Sequence, residues 1–309
     1  MTTGPQPRIV AVVVTFNRLP LLQKLVARLG QIGGVAEVLV VDNASSDGTG
    51  KWLAASPTTG EVPLSGRTLR TNRGGAGGFH DGLAWAIDRG ADLVWLMDDD
   101  GLPDLDCLDR LLLETDNLDF WGPLVIDEAD PDRLVFPIRL PGRTRVVHAV
   151  DDVRRAAKQD RIDGIVIPFN GVLVTKELVD RIGLPREEFF IWGDDHEYRL
   201  RAEEAGARVA TVVTAAVRHP SVGNLGTPMM FGRTTYNDSP SDLKHYCMAR
   251  NNLVNLRDYR GPLHALAFVV KTAWFYAFTR PSLSRLRLSA SAMRAGIAGD
   301  FDGHRKFLS

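Results

Sequence analysis

The sequence predicts an α/β fold with a mostly parallel central sheet, followed by a helical extension. Three observations support it. The first hundred residues alternate short apolar runs with helix-like segments. Those runs are continuously apolar, the pattern of strands buried on both faces. Beyond about residue 242 the strand-like runs stop and the pattern becomes helical. At 309 residues and 44% hydrophobic composition, the chain has apolar material for one large domain with an appendage, predicted at 1–241 and 242–309.

Ile9–Thr15 (IVAVVVT) predicts a buried strand and Leu19–Leu29 a helix. Glu37–Asp42 predicts the next strand, Asp47–Ala55 a short helix, Thr68–Thr71 a strand, Gly78–Asp88 a helix and Leu93–Met97 a buried strand. Strands are expected again at Trp121–Ile126, Leu134–Ile138, Gly164–Thr175 and Ala207–Val217, with helices near 176–182 and 195–205. Pro262 and Pro281 mark the starts of two late helices, since proline lacks an N–H that the first turn leaves unpaired anyway.

Composition narrows the function. The net charge of −1 excludes a bulk-basic nucleic-acid binder. That average hides an asymmetry: residues 244–309 hold 11 basic side chains against 3 acidic ones, whereas 1–243 hold 26 against 35. Two cysteines, Cys107 and Cys247, exclude a disulfide framework and a thiolate metal cluster. The first residues lack a secretory pattern and no segment reaches the ~18–20 apolar residues of a spanning helix, so a cytoplasmic setting is expected. Phe268, Trp274, Phe275, Tyr276 and Phe278, followed by Arg280, Arg285, Arg287 and Arg294, suit a helix lying on an anionic membrane surface. The same faces would also serve as core or as a homo-oligomer interface.

Polar clusters sit where strands end: Thr15-Phe16-Asn17-Arg18, Asp42-Asn43, Asn72-Arg73-Gly74 and Asp98-Asp99-Asp100. In parallel α/β sheets ligands bind beyond those ends. Three carboxylates closing a buried strand repel unless cations neutralise them. Strand alternation would set Asp98 and Asp100 on one side and Asp99 on the other, two oxygen donors suited to Mg²⁺ or Mn²⁺ with substrate phosphates. A solvated acidic turn is the plainer alternative. The run Asn72 to Phe79 (NRGGAGGF) would let backbone approach a phosphate or ribose, although a tight turn explains it equally. Farther on, Trp192-Gly193-Asp194-Asp195-His196-Glu197-Tyr198 places an acidic pair at a predicted helix start, either a helix cap or a general base with an aromatic ring for a sugar face. His219 ends another strand and is a candidate third metal ligand.

Taken together and in this order, TFNR, VVDNASSDGT, NRGGAGGF, the aspartate triplet and WGDDHEY resemble glycosyltransferase family 2, with its GT-A nucleotide-sugar-binding fold, over roughly residues 8–220. GGAGGF, MDDDG and the W-x-D-D-x-E-Y arrangement look most like the actinobacterial galactofuranosyltransferases of cell-wall galactan, and the short length and basic tail like the initiating type. The resemblance implies a divalent metal held by Asp98, Asp100 and His219, with Asp99 beside the donor. Thr15, Phe16, Asn17, Arg18, Asp42 and Asn43 would hold the nucleotide, with Asn72, Arg73, Gly74 and Gly75 approaching the donor. Asp195, paired with Asp194, would be the base, and Trp192, Asn170 and Arg250 would face the acceptor. One departure is Gly193, which separates Trp192 from the pair. UDP-galactofuranose is the implied donor, and the implied acceptor is a rhamnosyl-GlcNAc unit on a polyprenyl diphosphate at the inner face of the plasma membrane. A rhamnosyltransferase using a dTDP-sugar and an inactive nucleotide-sugar-binding assembly protein are the competing expectations.

Overall fold

A computed structural model describes residues 6–55, 57, 60–113, 118–142, 146–223 and 226–308. Its contacts divide the chain into two compact units, one of residues 1–184 and 202–221, the other of 185–201 and 222–309.

The first unit is an α/β sheet built in the predicted order: β1 Ile9–Thr15, α1 Leu19–Leu29, β2 Val35–Asp42, α2 Thr49–Ala54, β3 Leu64–Thr68, α3 Gly74–Asp88 and β4 Leu93–Asp98. It continues through β5 Leu102–Pro103, α4 Cys107–Leu112, β6 Phe120–Asp127, β7 Arg133–Arg139, β8 Val146–Ala149, α5 Val150–Ala156, β9 Arg161–Asp163, β10 Asn170–Thr175 and α6 Lys176–Ile182. After α7 Asp194–Glu204, which crosses the unit boundary, β11 Val209–His219 closes it. The sheet order is β3-β2-β1-β4-β10-β6-β11-β5. Strands β1 to β4 pair in parallel, as do β6 and β11, while β10 runs antiparallel between β4 and β6.

Local chemistry explains these elements. Every residue of β1 is buried, and its β-branched side chains suit a strand covered on both faces. On α1, Leu22, Leu25, Val26 and Leu29 fall at helical spacing and face the core. Helix α3 begins four residues before the predicted Gly78, so the glycine run forms its first turns rather than a loop. A Cβ at Gly78 would collide with Val14, and one at Gly82 with Val12, so these glycines let α3 lie directly on β1. Two strands differ from expectation. The β3 strand precedes the predicted Thr68–Thr71, because Leu64 to Thr68 match the β2 register. Only Asn170–Thr175 of the predicted 164–175 strand forms, since Phe169 adopts a left-handed backbone (φ 57°) just before it.

In the second unit, β12 Thr227–Met229 pairs with β13 Thr234–Tyr236, and α8 Asp242–Arg260, α9 Pro262–Trp274 and α10 Leu283–Ala298 follow. Pro262 opens α9 as predicted. Ser282, one residue after Pro281, caps α10 by accepting the Arg285 N–H. Tyr246, Ala249, Leu253, Ala265, Ala292 and Met293 form one core among these helices. No helix among the described residues is long and apolar enough to cross a membrane.

Candidate active site

Register brings the strand ends of the first unit level. Thr15 lies opposite Asp42, Asp42 opposite Thr68, and Val14 opposite Asp98. Asp42 is fully buried and accepts from the Ser45 N–H and the Thr68 hydroxyl, both at 3.0 Å. Buried Asn43 donates to Gly74 O at 2.6 Å and accepts from the Arg73 N–H at 2.8 Å, while Asn72 accepts from the Gly74 N–H at 2.7 Å. These side chains thus shape the two turns behind the rim. Asn17, at φ 55°, accepts from the Ser46 N–H, and Phe16 is exposed beside it. Open space lies where a Gly75 side chain would be, which leaves that backbone approachable. Asn170 sits opposite Met97 at the same edge, its amide donating to Pro168 O at 3.0 Å.

The aspartate triplet departs from strict alternation because β4 ends at Asp98 and the chain turns there. Asp99 is buried, accepting from the Thr15 hydroxyl at 2.6 Å, and the Arg18 guanidinium reaches both Asp99 (3.2 Å) and Asp100 (2.5 Å). Nε2 of buried His219 lies 3.1 Å from the other Asp100 oxygen. Burial pushes Asp100 upward, but the His219 hydrogen bond and the charges of His219 and Arg18 outweigh it and hold the carboxyl below the ordinary range. For Asp99, burial prevails over Thr15 and Arg18 and the carboxyl is raised.

The metal expected at Asp98, Asp100 and His219 can be tested on this geometry. His219 Nδ1 lies 2.7 Å from Pro220 O, so Nδ1 carries a proton; Asp100 raises the ring's proton affinity overall in spite of burial, and Nε2 is an acceptor only in the neutral ring. An acceptor nitrogen facing a carboxylate oxygen at 3.1 Å requires a proton or a cation between them. The donor set therefore fits a hard divalent ion with carboxylate, imidazole and phosphate ligands. Among the described residues no three His, Cys, Asp or Glu side chains gather into a ready shell; Asp100 and His219 lie together, and Asp98 ends β4.

In the second unit a short 3₁₀ turn, Glu187–Phe189, leads to the acidic pair. The Ile191 N–H donates to Phe189 O at 2.8 Å across Phe190, whose φ 65° and ψ −64° define the rare, strained form of γ-turn. Trp192 (φ 67°) and Gly193 (φ 87°) continue in left-handed conformations. Held non-glycine residues of this kind cost about 1–3 kcal/mol each. Asp194 then begins α7, buried, with Asp195 partly exposed and accepting from the His196 N–H at 2.6 Å. Burial, and for Asp194 the neighbouring Asp195 charge, raises both carboxyls above the ordinary range. Trp192 packs partly on the cluster of Met229, Tyr236, Met248, Phe275 and Tyr276.

Arg250 requires a correction. Rather than facing an acceptor, its side chain is fully buried, donating to Phe189 O at 2.9 Å, Phe301 O at 2.8 Å and the Asn251 side-chain oxygen at 2.9 Å. The Asn251 amide nitrogen lies within hydrogen-bond reach of Phe189 O, Ile191 O and Trp192 O and shares its two N–H groups among them, and Asn255 donates to Gly193 O at 2.9 Å. Asn251 and Asn255 were not foreseen. Their signal is three polar residues, at positions 250, 251 and 255, among the mostly apolar buried positions of α8.

The family model for glycosyl transferase family 2 matches residues 10–160, which contain the whole strand-end rim up to the triplet. The chain is 33% identical over 287 residues to galactofuranosyltransferase GlfT1 of Mycolicibacterium smegmatis, covering 90% of this chain and 92% of that one. It is 36% identical over 251 residues to galactofuranosyltransferase GlfT1 of Mycobacterium tuberculosis, covering 78% and 79%. At 13% identity, the fold resembles GalNAc-T7, solved with UDP, GalNAc and Mn²⁺, with a TM-score of 0.61 over 97% of this chain and 58% of that one. The sheet order, the rim and these similarities make the architecture a GT-A fold, and the chain belongs to glycosyltransferase family 2.

Proposed function

We propose that this enzyme transfers galactofuranose from UDP-galactofuranose to a rhamnosyl-GlcNAc unit on a polyprenyl diphosphate, with inversion, to start a cell-wall galactan. The observation that carries this reading is the similarity to GlfT1 of Mycolicibacterium smegmatis over nine-tenths of the chain, a span long enough to include both the aspartate triplet and the WGDDHEY segment. The rim residues Thr15 to Arg18, Asp42, Asn43 and Asn72 to Gly75 hold the uridine diphosphate end of the donor, with Asp99 fixing Thr15 and Arg18. Asp98, Asp100 and His219 would hold Mn²⁺ or Mg²⁺, which when bound offsets charge on the departing UDP. Asp195, its proton affinity raised by burial, draws the proton from the acceptor hydroxyl as that oxygen attacks the anomeric carbon from the face opposite UDP. Trp192 offers its ring to the sugar's apolar face, Asn170 lies on the acceptor side, and Asp194, its own carboxyl raised by burial and by the Asp195 charge, stands beside the base. The α9 residues Leu263, Leu266, Val270 and Trp274 are exposed at helical spacing, which supports peripheral attachment to the inner face of the plasma membrane.

The test is a mass-spectrometric assay with UDP-galactofuranose, dTDP-rhamnose and a synthetic lipid-tailed rhamnosyl-GlcNAc acceptor. A product heavier by one hexose from UDP-galactofuranose supports the reading. Consumption of dTDP-rhamnose without consumption of UDP-galactofuranose would favour a rhamnosyltransferase and overturn it.

A further inference from the structure

Four unfavourable features converge on one short segment of the second unit. The backbone of Phe190 and Trp192 is held left-handed. Arg250 is buried with no ion pair among the described residues, and burial lowers its proton affinity. Asn255 keeps its side-chain oxygen buried and without a hydrogen-bond partner among the described residues, while its amide donates to Gly193 O. Phe189 O is claimed by three donors at once, from Ile191, Arg250 and Asn251. Strain of this kind persists where the surroundings over-determine a geometry that function needs.

We infer that Arg250, Asn251 and Asn255 of α8, braced by the Phe301–His304 turn, form a positioning frame that fixes the direction in which Asp194 and Asp195 leave the segment. Arg250 ties the γ-turn to that turn, since one side of its guanidinium reaches Phe189 O and the other reaches Phe301 O. Phe189 stacks on Phe301 at 5.6 Å, and Phe190 meets the His304 ring at 4.4 Å. A Cβ at Gly303 would collide with the Tyr246 hydroxyl, so the brace is close-packed onto α8 as well. Asn251 then holds the carbonyls of Ile191 and Trp192, and Asn255 holds that of Gly193, which also accepts the Glu197 N–H in the first turn of α7. Every carbonyl between Phe189 and Gly193 except that of Phe190 is thereby engaged by this helix. The three side chains act through the backbone and are positioning residues.

This inference rests on the reading of Asp195 as the base, and the experiment separates the two. Steady-state kinetics with UDP-galactofuranose and the lipid-tailed acceptor would compare Arg250→Lys, Asn251→Ala, Asn255→Ala and Asp195→Ala, alongside calorimetric UDP binding. Lysine keeps the charge but loses the planar fork that spans two carbonyls. Arg250→Lys and Asn251→Ala are expected to lower kcat by about tenfold or more, with the donor KM and UDP affinity within twofold of the parent. Asn255→Ala loses one bond and an unpaired acceptor, so it remains folded and is expected to show the same split more weakly. A kcat within twofold of the parent for Asn255→Ala and for whichever of the other two variants folds would overturn the frame. Parallel changes in kcat, donor KM and UDP affinity would overturn it too, since they mark general loosening. Turnover retained by Asp195→Ala would instead overturn the base.

Discussion

Asp100 of the first unit and the Asp194–Asp195 pair of the second are built in opposite ways. In the first unit Asp100 lies within reach of Arg18 and His219, and these partners hold its carboxyl below the ordinary range in spite of burial. In the second unit Asp194 and Asp195 sit side by side at a helix start, and burial raises both. Arg199 and nearby backbone N–H groups favour ionised Asp195 without overcoming that burial. A carboxylate kept ionised by cations suits the handling of a metal and a diphosphate. A carboxylate whose proton affinity is raised suits taking a proton from a sugar hydroxyl. Under the proposed function, the same residue type is turned to two tasks by its surroundings.

Substitutions that exchange or erase this contrast come in descending order of effect. Asp195→Ala is expected to lower transfer by ~10²–10⁴-fold, the range for loss of a general base, while metal-dependent UDP binding stays at the parental level in calorimetry. Asp100→Asn is expected to lose roughly 10²–10³-fold in kcat, together with the metal dependence of UDP binding. That coupled loss, absent from Asp195→Ala, distinguishes the two groups. Asp194→Asn tests stability instead. Its folded-state proton affinity is raised, so the native chain binds more protons than the unfolded chain above the ordinary aspartate value of 3.8, and stability falls as pH rises toward the raised value. Removing the charge lifts that cost, and melting at pH 8 is expected to rise by about 2–4 °C for ~1 kcal/mol, with the gain vanishing at pH 4. An equal shift at both pH values would contradict the assignment.

Glu37 provides the smallest effect and a control of opposite sign. It is buried at the far end of β2, where Arg89, Arg8 and Ser65 surround it. Burial acts to raise its carboxyl, and the Arg89 and Ser65 hydrogen bonds with the charges of Arg89 and Arg8 lower it overall. Its contribution is therefore present above the ordinary glutamate value and lost as pH falls through the depressed one. Since both arginines are about half exposed, Glu37→Gln is expected to cost only about 1 kcal/mol at pH 7, measured by urea unfolding, and less in acid.

The first unit was legible because its strands are buried on both faces. Continuous runs such as Ile9–Thr15 and Leu93–Met97 identify themselves without partners, and polar residues at their ends locate the rim. Where tertiary contacts decide, sequence fell short. The extent of α3 depends on Val12 and Val14, against which Gly82 and Gly78 must fit, and local propensity does not report that contact. The turn after Asp98 breaks an alternation that a strand would have continued. Arg250 looked like an anion-binding side chain because burial is invisible in a basic stretch, and only its position between Phe189 O and Phe301 O reveals a structural use. The γ-turn at Phe190 left no trace in composition, since phenylalanine is a poor residue for that conformation.

The contrast itself is directly measurable by carbon-13 NMR of aspartate side-chain carboxyls across a pH titration, with Asp100→Asn, Asp194→Asn and Asp195→Asn used to assign the signals. Asp100 is expected to titrate below the ordinary aspartate range and the Asp194–Asp195 pair above it, in two steps that belong to the pair. A pair that titrates with, or below, Asp100 would contradict it.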